Sequence, residues 1–274
     1  SISKDKLKIG QVEIVGVPAD EFPSVGTYVE EFKDGKHYDI PGLSKYISRV
    51  SHCVSQDETR IHLCGIAVQV TGNKAAIVGC DGNRLAYFDG ISCAGLDGEY
   101  IIPVSACKIL TKLDVSSFIV SNDGNILRVT TEDGVFATRL IDMQYPDWRQ
   151  VVPLNLSGTA TIQTNSLLDA LKQFNICRDK PKNPITIKVQ HNCTQTTLSH
   201  KGNDFSLNVA VESENEGTSE APFGIRLKYL REAIEALESS NVTIRQGAAK
   251  RLPLIVFAGH RDDLQQLIMP MSFE

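Results

Sequence analysis

The sequence predicts an α+β fold made of two similar domains, and three observations carry that prediction. Strand signals dominate the chain, four stretches break them at helical spacing, and those helical stretches recur as a pair at one fixed offset. The length of 274 residues agrees, being long for a single core and suited to two domains.

Taken in order, residues 1–36 fall outside the repeat. "KLKIGQVEIVGV" reads as a strand pair and "PADEFPSVG" as a turn and linker. That is too little to bury a core, so the segment reads as the tail of something larger or an extension of a neighbour's sheet. In "LSKYISRVSHCV", Leu43, Tyr46, Ile47, Val50 and Val54 recur at helical spacing. "IAVQV" (66–70) then alternates apolar and polar residues, as a half-buried antiparallel strand does. "GCDGNRLAYFDG" sets the tight turn Asp81-Gly82-Asn83 between apolar strands. "PVSACKILTKL" opens with Pro103, suited to a first helical turn, and brings Ile109, Leu110 and Leu113 together. Hairpin punctuation follows at Asp123-Gly124 and Asp133-Gly134, as it does earlier at Gly72-Asn73 and later at Gly202-Asn203.

The link "TRLIDMQYPDWRQVVP" (138–153) starts as a strand and ends polar, aromatic and proline-bounded, with the chain's only tryptophan, Trp148. Beyond it come the helical "NSLLDALKQFNIC", the alternating "ITIKV" (185–189) and "FSLNVAV" (205–211), the helical "RLKYLREAIEAL" and an apolar tail, "LIMPMSFE". Leu43, Ile47 and Val50 are matched by Leu167, Leu171 and Phe174, each 124 positions further on, and Leu113 is matched by Leu237 at the same offset. Two helix matches at one offset imply two similar domains, 37–152 and 156–274, each reading helix, strands, helix, strands.

Hydrophobic content of 42% and charged content of 22% are those of an ordinary globular chain. The net charge of -5 argues mildly against a nucleic-acid partner but does not exclude a basic stripe. Such a stripe is readable. The helical stretches carry Lys45 and Arg49, then Lys108 and Lys112, then Lys172 with Arg178, Lys180 and Lys182 just beyond. The fourth carries Arg226, Lys228 and Arg231, but also Glu232, Glu235 and Glu238. Segregated charge of this kind suits a phosphate-facing surface, and equally a set of solvated helix exteriors. There is no apolar run long enough to span a membrane and no signal-peptide core in "SISKDKLKIG". Seven cysteines lie singly in apolar patterns, which reads as reduced thiols in a cytoplasmic setting.

Signatures of catalysis are scarce: no Gly-rich phosphate loop, no G-x-S-x-G elbow and no H-E-x-x-H occurs. His52, Cys53, His62 and Cys64 form a conceivable zinc set, but their spacing matches no common finger. Buried thiols and surface histidines are the default reading there. Asp81 lacks a second carboxylate or base nearby in sequence. No catalytic residue, metal or cofactor is expected.

"CDGNRLA", "TRLIDMQYPDWRQVVP", "LIMPMSFE" and the D-x-x-R-x-x-L-x-G stretch within "SQDETRIHLCG" together resemble the bacterial sliding clamps, the beta subunits of DNA polymerase III. The resemblance covers nearly the whole chain in order. It implies a DNA-clamp fold, with two helices per domain on the inner face and antiparallel sheets on the outer rim. Residues 37–152 resemble the middle domain and 156–274 the last. Residues 1–36 resemble only the end of the first domain, through "PADEFP". The chain then reads as a fragment of a full-length clamp, or as a two-domain clamp of which three copies restore a six-domain ring.

The resemblance implies a non-catalytic processivity factor that encircles duplex DNA as a homo-oligomeric ring. It would tether a polymerase, a clamp loader and repair proteins by short linear motifs. Their peptide cleft maps onto Leu63, Cys80, Gly82, Asn83, Arg84, Leu85, Pro153, Leu267, Met269, Pro270 and Met271. Lys45, Arg49, Lys108, Lys112, Lys172, Arg178 and Arg231 are the expected channel contacts, and the partner face lies near Ile176 and Cys177. Cys80 stands where the family has threonine, Asn83 where it has histidine, and the tail ends "MSFE", so a shifted peptide preference is expected. The alternative keeps the fold without the ring, as a peptide-binding adaptor that does not hold DNA.

Overall fold

The computed structural model describes residues 2–3, 6–9, 11–16, 35–153, 156–177, 185–202, 206–217, 222–247, 254–258 and 264–271. Three short strands, β1 (Ile2–Ser3), β2 (Lys6–Ile9) and β3 (Val12–Val15), form a separate antiparallel sheet. A first series of elements follows: β4 (Lys36–Asp39), α1 (Leu43–Val50), β5 (Gly65–Thr71), β6 (Lys74–Cys80), β7 (Arg84–Ser92), β8 (Gly98–Pro103), α2 (Val104–Leu110), β9 (Ser117–Val120), β10 (Ile126–Thr131) and β11 (Gly134–Arg139). The same order then recurs: β12 (Leu156–Gln163), α3 (Thr164–Gln173), β13 (Thr186–His191), β14 (Gln195–Lys201), β15 (Ser206–Glu216), β16 (Phe223–Arg226), α4 (Leu227–Glu235), β17 (Asn241–Gly247), β18 (Leu254–Ala258) and β19 (Gln265–Ile268).

The recurrence extends to detail. Among the described residues, the non-glycine residues at positive φ are Asp114 (47°) and Glu238 (52°), 124 positions apart. Each follows the second helix of its series, where a left-handed residue turns the chain out of the helix. Leu43, Ile47 and Val50 are fully buried, and Leu167, Leu171 and Phe174 are buried in the matching places.

Strand order is β11-β10-β9-β4 in one sheet and β16-β13-β14-β15-β12-β17-β18-β19-β7-β6-β5-β8 in the other. The second sheet therefore crosses from one series to the other at β19 and β7, where Gln265 faces Tyr87 and Ile268 faces Arg84 in antiparallel register. The helices pack on one face of the sheets over one large core, through residues such as Ile47, Leu110, Leu171 and Ile234. Ser44 stitches helix to helix, its hydroxyl donating to Leu110 O at 2.6 Å and accepting from Val115 N at 2.6 Å.

The expectation of a half-buried strand at 66–70 is corrected. Ile66, Val68 and Val70 enter the main core, but Ala67 on the opposite face is also fully buried. The link covers that face, so the first series has a second, smaller core. It comprises Leu63, Ala67, Ala76, Val78, Leu85, Tyr87, Ile101, Tyr145, Trp148 and Leu267. Trp148 packs against Tyr87 with ring centroids 4.4 Å apart and donates its Nε1–H to Gln69 Oε1 at 3.0 Å. Glu99 completes the seam, accepting from Gln69 Nε2 at 2.7 Å and from Tyr145 N at 3.0 Å. Asp147 starts the short helical turn Trp148–Val151 by accepting from Arg149 N at 3.3 Å. The Pro-Asp pair is thus a start signal that seats two aromatics on the sheet.

In the second series His191 is 1% exposed, its Nδ1 lying 2.8 Å from Thr196 Oγ1. Burial lowers its imidazole from 6.5 to about 4. A folded-state value below the unfolded one means that the unfolded chain takes up the proton first. The associated stability is complete above about pH 6.5 and lost as pH falls toward 4, by up to roughly 3 kcal/mol. Urea unfolding of the wild type and of His191→Gln at pH 7 and pH 4.5 checks this, with the variant expected to lose less stability on acidification. Equal losses in the two proteins would contradict it.

Candidate binding cleft and module joint

The turn between β6 and β7 is built by Asp81. Its Oδ1 accepts from Asn83 N at 2.8 Å and Arg84 N at 3.0 Å, and its Oδ2 accepts from Arg84 Nε at 3.0 Å. This is the side-chain mimicry of a backbone turn for which Asp is suited. Gly82 has φ 88°, and a Cβ there would sit 2.6 Å from Arg60 Nη1. The left-handed backbone favours glycine, and a larger residue would also have to push aside the flexible end of Arg60. Arg60 is itself held by Asp57 at 3.0 Å.

The tail meets this turn. Met269 N donates to Asn83 O at 2.9 Å, and Met271 N donates to Gly224 O at 2.8 Å, so three residues bridge the two series. Met269 is 41% exposed, and Pro270 and Met271 are half-buried. Cys80, Asn83 and Pro153 are also half-buried and Gly82 is exposed. Leu63, Leu85 and Leu267 instead belong to the second core and are 5% exposed or less. They floor the region from below, while Cys80, Gly82, Asn83, Pro153, Met269, Pro270 and Met271 are the expected residues that reach solvent. Burial raises the Cys80 thiol above its ordinary value.

Arg84 is 7% exposed and fully engaged. Besides Asp81, its Nη1 donates to Glu232 Oε2 of α4 at 2.6 Å and its Nη2 to His52 O, and its Cζ lies 4.3 Å from the Tyr229 ring centroid. A cleft of about 650 Å³ opens beside it, lined by Arg60, Asn83, Arg84, Lys228, Tyr229 and Glu232 among others. Of the eleven expected cleft residues, Asn83 and Arg84 line this opening. Burial, with the Arg84 guanidinium nearby, lowers His52 from 6.5 to about 4. The default of surface histidines therefore fails at His52, whose ring Nε2 is closed to solvent. Cys53 is buried and its thiol is pushed up by desolvation. Among the described residues no group of three or more His, Cys, Asp or Glu is placed to hold a metal.

The expected channel cations divide. Lys108 and Lys112 are exposed on and just beyond α2. Lys45 and Lys172 are exposed beside acids, at 3.7 Å from Glu238 and 2.8 Å from Asp169, and Arg231 lies 3.7 Å from Glu235. The exposed pairs of Lys45 and Lys172 hold little energy, so these two side chains remain available to a phosphate, whereas Arg231 is half-buried. Arg49 differs. Its Nε and Nη2 donate to Ala236 O and Leu237 O at 2.8 and 2.9 Å, and the guanidinium lies over the Phe88 ring at 5.3 Å. It caps the last carbonyls of α4, where a cation suits the helix dipole. Arg178 and the side chains of Ile176 and Cys177 lie outside the described residues. Sequence reasoning missed Glu232, Tyr229 and His52 as joint residues. The acids of the fourth helix were the available signal.

Two similar series of helices and strands, joined edge to edge with their helices on one face, define a modular repeat protein. Residues 40–147 match the model for the DNA polymerase III beta subunit, central domain, and residues 149–272 the model for its C-terminal domain. The chain belongs to the DNA polymerase III beta subunit family, the sliding clamps, which are not catalysts. It is 25% identical over 291 residues to the beta sliding clamp of Synechocystis, covering 96% of this chain and 71% of that one. It is 23% identical to that of Pseudomonas aeruginosa, covering 93% and 70%. In fold, a solved P. aeruginosa DNA polymerase sliding clamp superposes with a TM-score of 0.83 at 21% identity over 100% of this chain and 76% of that one. The Thermotoga maritima DNA polymerase III beta subunit gives 0.83 at 19% identity with the same coverage. No helix among the described residues is long and apolar enough to cross a membrane.

Gly82→Ala is expected to destabilise the protein by about 1–2 kcal/mol, chiefly through left-handed strain. Denaturant unfolding measures this, and a change under about 0.5 kcal/mol would show that the turn adapts.

Proposed function

We propose that this chain acts as a DNA sliding clamp, a processivity factor that encircles duplex DNA and tethers the replicative polymerase and other clients. The mechanism is topological: a closed ring leaves duplex DNA only by opening. The observation that carries the reading is the sheet running unbroken from one series to the next through β19 and β7, with exposed lysines on helices of the opposite layer. Modules joined edge to edge in this way can continue round a ring.

In this reading the modules are 37–152 and 156–274, and 1–36 is the end of a preceding one. The ring is homo-oligomeric and works in the cytoplasm without a membrane partner. Lys45, Lys108, Lys112, Lys172, Arg178 and Arg231 meet the phosphates, and Arg49 serves chiefly the joint. Polymerase, clamp loader and repair proteins dock short linear motifs over the seam where the turn at Cys80–Leu85 meets the tail at Leu267–Met271, with Pro153 beside it and Leu63 beneath. Methionine suits this surface because its flexible, polarisable side chain meets several partners.

A second reading, an adaptor that binds clients without encircling DNA, is favoured by the net charge of -5 and by the acids beside Lys45 and Lys172. Retention on circular but not linear duplex DNA separates the two. For the clamp, DNA affinity falls steeply with salt, the logarithmic slope steepening by about 0.9 per phosphate contact. A flat salt dependence would remove the channel. Met269→Ala or Met271→Ala is expected to weaken binding of a client peptide about tenfold, with the unfolding midpoint unchanged. Wild-type affinity in both variants would remove the cleft.

A further inference from the structure

We propose that Glu232 is a positioning residue of the client-peptide cleft, acting through Arg84, a proposal that rests on the cleft reading above. The two walls of that cleft come from opposite sides of the joint. One is the turn shaped by Asp81, the other the tail from Met269 to Met271.

Both walls are referred to the same turn of α4. On the first side, Glu232 holds the Arg84 guanidinium at 2.6 Å, and Arg84 in turn holds Asp81 at 3.0 Å through Nε. Asp81 organises the turn through two backbone N–H groups. The guanidinium is a rigid planar fork, so fixing one edge on Glu232 fixes the direction of the other. On the second side, the next residue of α4 takes over: Gln266 Nε2 donates to Ala233 O at 2.7 Å from a side chain 1% exposed. Gln266 lies on β19, three residues before Met269. Backbone pairing joins the turn to the tail directly, and Glu232 and Ala233 add a common reference on α4 that fixes the orientation of the side chains along both.

Glu232 itself is not among the apolar groups that would meet a peptide. Its carboxylate is 24% exposed, with Lys228 at 3.8 Å from the other oxygen. Neutralising it leaves a buried guanidinium short of an anionic partner, and the turn loses its reference to α4 while the tail keeps its own. A mispositioned wall weakens binding without removing any contact residue.

The test uses the full chain and a fluorescein-labelled pentapeptide carrying leucine and phenylalanine, apolar side chains that a methionine-walled groove accepts. Affinities are measured by fluorescence anisotropy, with urea unfolding of every variant. Glu232→Gln is expected to weaken binding about tenfold, and Glu232→Asp, which keeps the charge, to recover part of that loss. Glu235→Gln, one exposed pair away, is expected to bind like wild type. Combined with Met269→Ala, Glu232→Gln is expected to cost clearly less than the product of the two single losses, because both act on one geometry.

Binding by Glu232→Gln within about twofold of wild type would overturn the proposal, as would losses that simply multiply with those of Met269→Ala. If Glu232→Gln fails to fold, Glu232→Asp decides alone: folded and weaker supports the proposal, folded and equal overturns it. No binding by the unaltered protein would bring down the cleft reading itself and this proposal with it.

Discussion

The pairing of β19 with β7 is the constraint on which the rest of the structure depends. An unpaired strand edge is a liability that proteins normally cover or charge. Here one edge is satisfied by the next module, and four residue pairs extend a single sheet across the seam. That pairing brings the start of β7 beneath α4, so the residue opening the strand must satisfy a polar environment from both sides. Arg84 is that residue. It has an anion from its own turn, an anion and an aromatic face from α4, and a carbonyl from the end of the first helical segment.

A buried ion pair is weak evidence for stability, because desolvation offsets much of its attraction. Its contribution at this joint is better described as selection of one geometry. The planar guanidinium accepts few arrangements of two carboxylates and a carbonyl, and a sheet edge alone would tolerate slippage. Arg49 acts similarly on the helical side, closing the carbonyls of Ala236 and Leu237. The joint is pinned on the sheet layer by hydrogen-bond register and on the helix layer by two arginines.

The repeat was legible because it rests on helical periodicity, which is local: Leu43, Ile47 and Val50 announce a buried face whatever they pack against. Seating of the link was not legible, because burial of Ala67 depends on Tyr145 and Trp148, distant residues that fold back over the strand. Pattern alone reads "IAVQV" as one-sided. The candidate cleft was legible only through family resemblance, which gathers its residues without saying which face solvent. Leu63, Leu85 and Leu267 fill a core that no local pattern links them to. Arg49 reads from the sequence as a channel cation and Arg84 as a cleft residue, and the joint role of each is hidden because their partners lie 187 and 148 residues away.

The glutamates of α4 draw these strands together. In the sequence they interrupt a mostly basic set of helices without evident reason. In the structure each has a cation: Glu232 has Arg84 and Lys228, Glu235 has Arg231, and Glu238, in the turn just past the helix, has Lys45 of α1. Two of the three face cations from the first module. At the matching positions of the repeat, Lys108 stands for Glu232 and Gln173 for Arg49. The joint chemistry is therefore not copied with the fold but written once, for this seam. A chain of similar modules needs that asymmetry, since identical edges would pair indiscriminately, and complementary charge on one helix pair is a means by which a repeated fold specifies which module meets which.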